Sequence, residues 1–297
     1  MISPLLAKLY GIILERKLSI WLESEGKWAK GQAGFRRKHS TTDHLVTRKI
    51  IVEECRNDKS NPFCCFVDFS KAFDTVPRNN LWNRLKELKV PFELRVVAIR
   101  LYENVIAKLK SNEGWSKDIK CNIRVKQGFP VSPTLFGIYI GKLEGCLEKE
   151  GCAGTILAGK VIILLLYTDD IVLDKQLILL KDFCSTMGMI VNTGKTKVMI
   201  LKSKKDSYAN FMYDNSNLVE VSSYKYLRID IHPKLKWNYS IEKRVNEGWK
   251  AYFGPKNNCK MENLVMWDRK KFLFATLVTP VILYGCEVLG CSISRES

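Results

Sequence analysis

Residues 161–173 read VIILLLYTDDIVL, two apolar runs around the polar centre Tyr167–Thr168–Asp169–Asp170. Short apolar runs broken by a polar pair predict a β-hairpin, here with both aspartates near its tip. The first run, Val161–Leu166, reads as one buried strand. Upstream, FCCFVDF at 63–69 is a second nearly all-apolar stretch, again broken by a single acid, Asp68. It suits a central strand covered on both faces. A carboxylate in such a strand is costly to bury unless it is paired or binds a metal. Neighbouring strand residues point to opposite faces, so only one of Asp169 and Asp170 can fully share a side with Asp68. At a tight turn that restriction relaxes. The 63–69 strand and the 163–173 hairpin are therefore expected to be neighbours in one antiparallel sheet, with the carboxylates around one cation cluster. Hard oxygen ligands of this kind suit Mg²⁺, and two such ions can drive phosphoryl transfer. Two adjacent aspartates at a turn, taken alone, more often form a polar turn. Three carboxylates in two apolar strands of a strongly basic chain point to chemistry instead.

Outward from these strands, helices alternate with short strands, an α+β pattern. Residues 5–24 predict a helix with Leu5, Leu6, Leu9, Ile12, Ile13 and Leu18 on its apolar side. A second helix covers 45–55, with Ser40, Thr41, Thr42 or Asp43 as its N-cap. Leu81, Leu85 and Leu88 line a third. Pro91 opens a fourth, with Leu94, Val97 and Leu101 on its apolar side. Strict alternation over 119–126 predicts a half-buried strand with a basic outer face. SPTLFGIYIGKLEGCL at 132–147 reads as one helix capped by Ser132. Further on come a helix at 177–187, a strand at 197–201, a strand pair at 224–231 and a basic helical region from Trp237.

Composition narrows the partners. The chain has 297 residues, and 48 Lys and Arg against 31 Asp and Glu leave a net charge of +17. A field of that sign attracts polyanions, nucleic acid first among them. No apolar run approaches the roughly 18 residues that span a bilayer. The first residues carry no charged n-region and no small-residue cleavage site, so an intracellular protein with no membrane association is expected. Ten cysteines without a single C-x-x-C pair argue against zinc and disulfides. They read as small packing groups in a reduced compartment.

Six stretches in order carry a family resemblance. FVDFSKAFDTVPR at 66–78 resembles the first palm motif of LINE-type, non-LTR retrotransposon reverse transcriptases, and YTDD at 167–170 resembles their Y-x-D-D box. KQGFPVSPTLFGIYI at 126–140 is similar to the motif between them. GQAGFRRKHSTTDHL at 31–45 resembles the upstream fingers motif, VNTGKTKVM at 191–199 the lysine-bearing motif after the catalytic hairpin, and YKYLRIDI at 224–231 the primer-grip hairpin. The resemblance implies a right-hand polymerase: fingers at 1–62 and 81–127, a ferredoxin-like palm with an antiparallel sheet at 63–80 and 128–235, and the start of a thumb at 236–297. It implies RNA-directed DNA synthesis on a primer 3′-hydroxyl, with an RNA template, a DNA primer, deoxynucleoside triphosphates and two Mg²⁺ ions, for which Mn²⁺ can substitute. Asp68, Asp169 and Asp170 become the metal ligands and Lys195 the proton donor to the leaving pyrophosphate. Phe73 becomes the aromatic gate against a ribose 2′-hydroxyl, and Gln127 and Gly128 border the nucleotide. Arg36 or Arg37 reaches the triphosphate, and basic runs at 202–205 and 269–271 hold the template–primer backbone.

The chain departs from that pattern in four places. Thr168 stands where the box usually has alanine, Arg228 where the primer grip has glycine, and Leu289 where the terminal YGCEV-W-G pattern has tryptophan. After DDIVL the chain passes straight into a helix, omitting a connector of roughly one to two helical turns. Two rival readings are a decayed remnant that no longer polymerises and an RNA-binding scaffold with the same fold.

Overall fold

A strand made only of apolar residues is stable where both of its faces are covered, and Phe63–Val67 (β1) meets that condition, with Cys64 to Val67 all buried. In the computed structural model, which describes residues 4–57, 63–103, 105–112, 114–120, 123–152, 154–157, 160–167, 170–173, 177–200, 211–232, 237–258 and 267–289, β1 is central. It shares a five-stranded sheet with β2 (Leu164–Tyr167), β3 (Asp170–Leu173), β4 (Lys197–Ile200) and β5 (Val219–Glu220), in the order β5-β4-β1-β3-β2. The pair β1–β3 is antiparallel from Cys65↔Leu173 to Val67↔Ile171, and β2–β3 from Leu164↔Leu173 to Tyr167↔Asp170. The expected neighbours are thus neighbours. β5 joins β4 in parallel, so the sheet is mixed at that edge. Helices intervene between β1 and β2 and between β3 and β4, and the order β4-β1-β3-β2 is the ferredoxin-like split βαβ arrangement.

Helix α1 (Leu5–Ser24) forms where predicted but buries a different side. Gly11, Leu14, Leu18 and Leu22 face the core, while Leu5, Leu6, Leu9, Ile12 and Ile13 are exposed. Both stripes have helical spacing, so periodicity could not choose between them. What chooses is the Phe129 ring, which lies 2.9 Å from where a Cβ on Gly11 would sit. The next three helices agree with expectation: α2 (Thr41–Asn57), α3 (Arg78–Glu87) burying Leu81 and Leu85, and α4 (Phe92–Tyr102) entered through Pro91.

The 132–147 stretch is two helices, α5 (Ser132–Ile140) and α6 (Lys142–Lys149), parted at Gly141. Ser132 is not the cap. That position falls on Val131, and the Ser132 hydroxyl is instead hydrogen-bonded to the buried Tyr102 phenol at 2.7 Å. A buried phenol needs a partner, and that need outweighs capping. Nearly every residue of α5 is buried, the mark of a helix packed on all sides.

Two strand expectations also change. The run 161–166 is not one strand: residues 160–162 pair with 155–157 in a separate ribbon, and β2 starts only at Leu164. Among its described residues, the alternating stretch 119–126 supplies only Ile119–Lys120 to a small ribbon, and Ile119 and Ile123 are exposed. Its partner offers just two residues, too few to cover Ile119 and Ile123, while Val125 is buried. Downstream, α7 (Leu177–Met187) packs Leu177, Leu180, Phe183 and Met187 inward. Burial pushes the Cys65 thiol up to about 12, in keeping with cysteines that pack as small apolar groups.

The chain divides into two units, residues 1–41, 62–198 and 205–220, and residues 42–61, 199–204 and 221–297. The second holds the hairpin of β6 (Tyr224–Tyr226) and β7 (Ile229–Ile231) and the long helix α8 (Asn238–Asn258). Leu227 and Arg228 turn that hairpin with φ +45° and +65°. A two-residue turn with both φ values positive matches strand twist and favours glycine or asparagine. Arg228 therefore occupies a glycine-type position. No helix among the described residues is long and apolar enough to cross a membrane.

Candidate active site

Asp68 follows directly on β1, and its side chain is half-buried. The β1–β3 register, continued one step past Val67↔Ile171, sets position 68 opposite position 170. Tyr167↔Asp170 closes the β2–β3 hairpin, so its loop is the two residues 168 and 169. Asp169 lies outside the described residues, and Asp170 is placed by its backbone in β3. Among the described side chains no three metal-ligating groups cluster.

The chain behind Asp68 is pinned on both sides. Its N–H donates to the Thr196 hydroxyl (3.2 Å), and its carbonyl accepts from the Asn192 N–H (2.8 Å). Ser70 N–H donates to the Ile190 carbonyl (2.8 Å), and Phe69 bridges Val191. These bonds dock the 190–196 turn against the end of β1. Lys195 belongs to that turn and is exposed, its N–H held by the Asn192 carbonyl at 3.1 Å.

Phe73 lies on the short helix Ala72–Thr75, half-buried, its ring stacked on Phe136 with centroids 4.6 Å apart. Its carbonyl accepts the Val125 N–H at 2.8 Å, tying this segment to the one that leads into Gln127 and Gly128. Both of those are exposed in a turn. Gly128 has φ +74°, and a Cβ there would meet nothing within 4 Å. Its glycine is required by backbone conformation.

The fingers-motif segment is strapped along β2. Leu166 N–H donates to the Gly31 carbonyl (2.8 Å), and Ala33 N–H to the Leu166 carbonyl (3.0 Å). A Cβ on Gly31 would lie 2.3 Å from the Leu164 carbonyl oxygen, so only glycine allows this approach. Glu144 of α6, absent from the sequence-based expectations, holds the strap from the other side. It accepts the Lys30 and Gly31 N–H groups at 2.5 and 3.0 Å. Burial raises its carboxyl above the usual range while those two bonds oppose the shift. Nothing in KLEGCLEK, the mixed polar sequence of α6, marks Glu144 out. Gly31→Ala is expected to destabilise the fold by about 2–4 kcal/mol, because backbone rather than a flexible side chain must move. A denaturant midpoint unchanged from the parent would refute that.

Arg36 and Arg37 differ sharply. Arg36 forms a two-bond fork with Glu23 of α1, Nε to Oε1 at 2.8 Å and Nη2 to Oε2 at 3.1 Å. Arg37 is exposed and makes no hydrogen bond or ion pair among the described residues. The basic run 202–205 lies outside the described residues, and Arg269, Lys270 and Lys271 are exposed in the second unit.

Comparison with known proteins bears on the family and the fold. The family described as reverse transcriptase (RNA-dependent DNA polymerase) matches residues 6–231. A relative from Drosophila melanogaster, the retrovirus-related Pol polyprotein of the type-2 retrotransposable element R2DM, is 26% identical over 302 residues, 97% of this chain and 27% of its own length. The probable RNA-directed DNA polymerase from transposon BS of the same species is 22% identical, covering 96% of this chain and 33% of the relative. The chain thus spans about a quarter to a third of the length of these relatives. Among solved structures, telomerase from Candida tropicalis, in complex with a TWJ fragment of telomeric RNA, aligns with a TM-score of 0.52 at 13% identity, over 96% of this chain and 47% of that one. Telomerase from Candida albicans aligns at 0.51 and 12%, over 97% and 48%. Likeness at that level shows the fold, an α+β right-hand polymerase.

Proposed function

The chain belongs to the reverse transcriptase (RNA-dependent DNA polymerase) family and is of LINE-type, non-LTR kind, and from that premise we propose that it is a polymerase core adding deoxynucleotides to a primer 3′-hydroxyl on an RNA template. The observation that carries this reading is the register of β1 on β3. It brings Asp68 beside position 170 at the mouth of the two-residue loop that contains Asp169.

Asp68, Asp169 and Asp170 are the proposed ligands of two divalent cations, Mg²⁺ first. The family generally uses divalent metal, and the donor chemistry here fits one: hard carboxylate oxygens, with the half-buried Asp68 among them. Bound there, the ions would acidify the primer hydroxyl and stabilise charge on the leaving oxygen. The remaining work falls to the chain itself. The exposed Lys195 ammonium, on its docked turn, would give a proton to pyrophosphate. Phe73, held on Phe136, forms the floor under the sugar. Gln127 and Gly128 border the nucleotide. Of the two arginines, Arg37 is the better candidate for the triphosphate, because Arg36 is already committed to Glu23. The fingers, palm and thumb segments follow the boundaries given above, with β1–β4 in the palm and α8 in the thumb.

This reading requires polyanion binding through a concentrated basic surface. Affinity for an RNA–DNA hybrid is expected to fall on the order of 10³-fold between about 50 and 200 mM salt. Fluorescence anisotropy with a labelled hybrid measures it. A flat salt profile, or no binding at low salt, would count against this function.

A further inference from the structure

Away from the carboxylates, residues 106–120 form an exposed antiparallel ribbon. Ile106 pairs with Lys120 and Ala107 with Ile119 at its base, and Lys110 pairs with Trp115 at its tip. Between them, the Leu109 carbonyl accepts the Ser116 N–H at 2.8 Å, and the Leu109 N–H donates to the Ser116 hydroxyl at 2.9 Å. One residue, Lys108, therefore faces two, Lys117 and Asp118, which is a β-bulge. Strand alternation on either side of it puts Lys108, Lys110, Trp115 and Lys120 on a single face.

That face is unusual in what it leaves in water. The Trp115 side chain is 67% exposed, and the Lys110 ammonium lies 5.8 Å from its ring centroid. Lys108 is tied at 3.0 Å to Asp118, but both are about half exposed, so the pair is weak and easily exchanged. Trp115 belongs to no core cluster, and a two-stranded ribbon gains little from it. Fold stability therefore does not account for an indole in this position. A row of lysines flanking one exposed aromatic ring does match a specific occupant. An unpaired nucleic-acid strand offers base faces for stacking and phosphates for the ammonium groups. A duplex keeps its base faces stacked internally and satisfies only the lysines.

We propose that the 106–120 ribbon binds single-stranded nucleic acid, stacking a base on Trp115 and seating neighbouring phosphates on Lys108, Lys110 and Lys120. The inference goes beyond the polymerase reading and does not depend on nucleotide addition. The test is anisotropy at low salt, without metal or nucleotides, on a single-stranded oligonucleotide and a blunt RNA–DNA hybrid of equal length. Trp115→Ala should weaken single-strand binding about 10-fold and leave the hybrid unchanged. Trp115→Phe should restore most of the loss, and Lys110→Gln should lower the salt slope by about one. Because Trp115 is exposed, the variants should keep the parent circular dichroism spectrum. Unchanged single-strand affinity in Trp115→Ala, or equal losses on both ligands, would overturn the proposal. So would a Trp115→Ala variant that releases anionic phosphatidylserine vesicles while keeping the oligonucleotide. Hybrid affinity, read in the same series, tests the polymerase reading separately.

Discussion

Asp68→Ala is expected to lower Mg²⁺-dependent primer extension by at least about 10³-fold. Removing a ligand shared by two catalytic ions withdraws several kcal/mol of transition-state stabilisation, and each ~1.4 kcal/mol is tenfold in rate. The fold should survive. Asp68 is held through its backbone, by Thr196 and Asn192, and those bonds do not need the carboxylate. The informative comparison is therefore extension rate against hybrid affinity in the same preparation. A variant that binds the hybrid normally but has lost extension places Asp68 in the chemistry. One that extends primers at the parent rate removes the two-metal mechanism.

The second large effect is a gain. β3 ends at Leu173 and α7 begins at Leu177, with only three residues between them, where the family pattern implies a longer connector. α7 carries a buried face of four apolar residues and a cysteine, so its seat is fixed by packing, and a short connector is expected to pull on the proposed catalytic hairpin instead. A displacement of about 1 Å at the reacting atoms can cost on the order of 100-fold in rate. Arg228 adds a separate fault in the proposed primer grip. It sits at φ +65°, beside Leu227 at +45°, and a non-glycine residue there is strained by about 1 kcal/mol. Arg228→Gly alone should raise the denaturant midpoint. Combined with a family-length connector after Leu173, it should raise primer extension on the order of 100-fold. Equal rates for the parent and the restored chain would mean that the short connector is harmless.

The parts of this fold that rest on local pattern could be read from the sequence. The two apolar strands, their acids, α7 and the β6–β7 hairpin all follow from periodicity and turn chemistry. The positive φ at Arg228 was foreseeable only through the resemblance, whose primer-grip pattern has glycine at that position. What could not be read depends on contacts between distant residues. α1 carries two apolar stripes, and only the approach of Phe129 to Gly11 decides which is buried. Ser132 has every local mark of a cap, yet Tyr102, 30 residues away, claims its hydroxyl. The alternation over 119–126 is real, but its partner strand is too short to cover a face. At the site, Asp68 was legible as an acid in an apolar strand. Glu23 was not, because an acid near a helix end carries no sign that it will fork onto Arg36. That pair distinguishes two arginines that the sequence leaves equivalent.

Primer extension on an RNA template tests the central claim most directly, using purified restored chain with Mg²⁺ and deoxynucleoside triphosphates. The expected result is template-directed extension that requires Mg²⁺ and disappears in Asp169→Ala made in the same restored background. Extension that persists in Asp169→Ala, or its absence from a restored chain that binds the hybrid, would contradict the assignment of these carboxylates to catalysis.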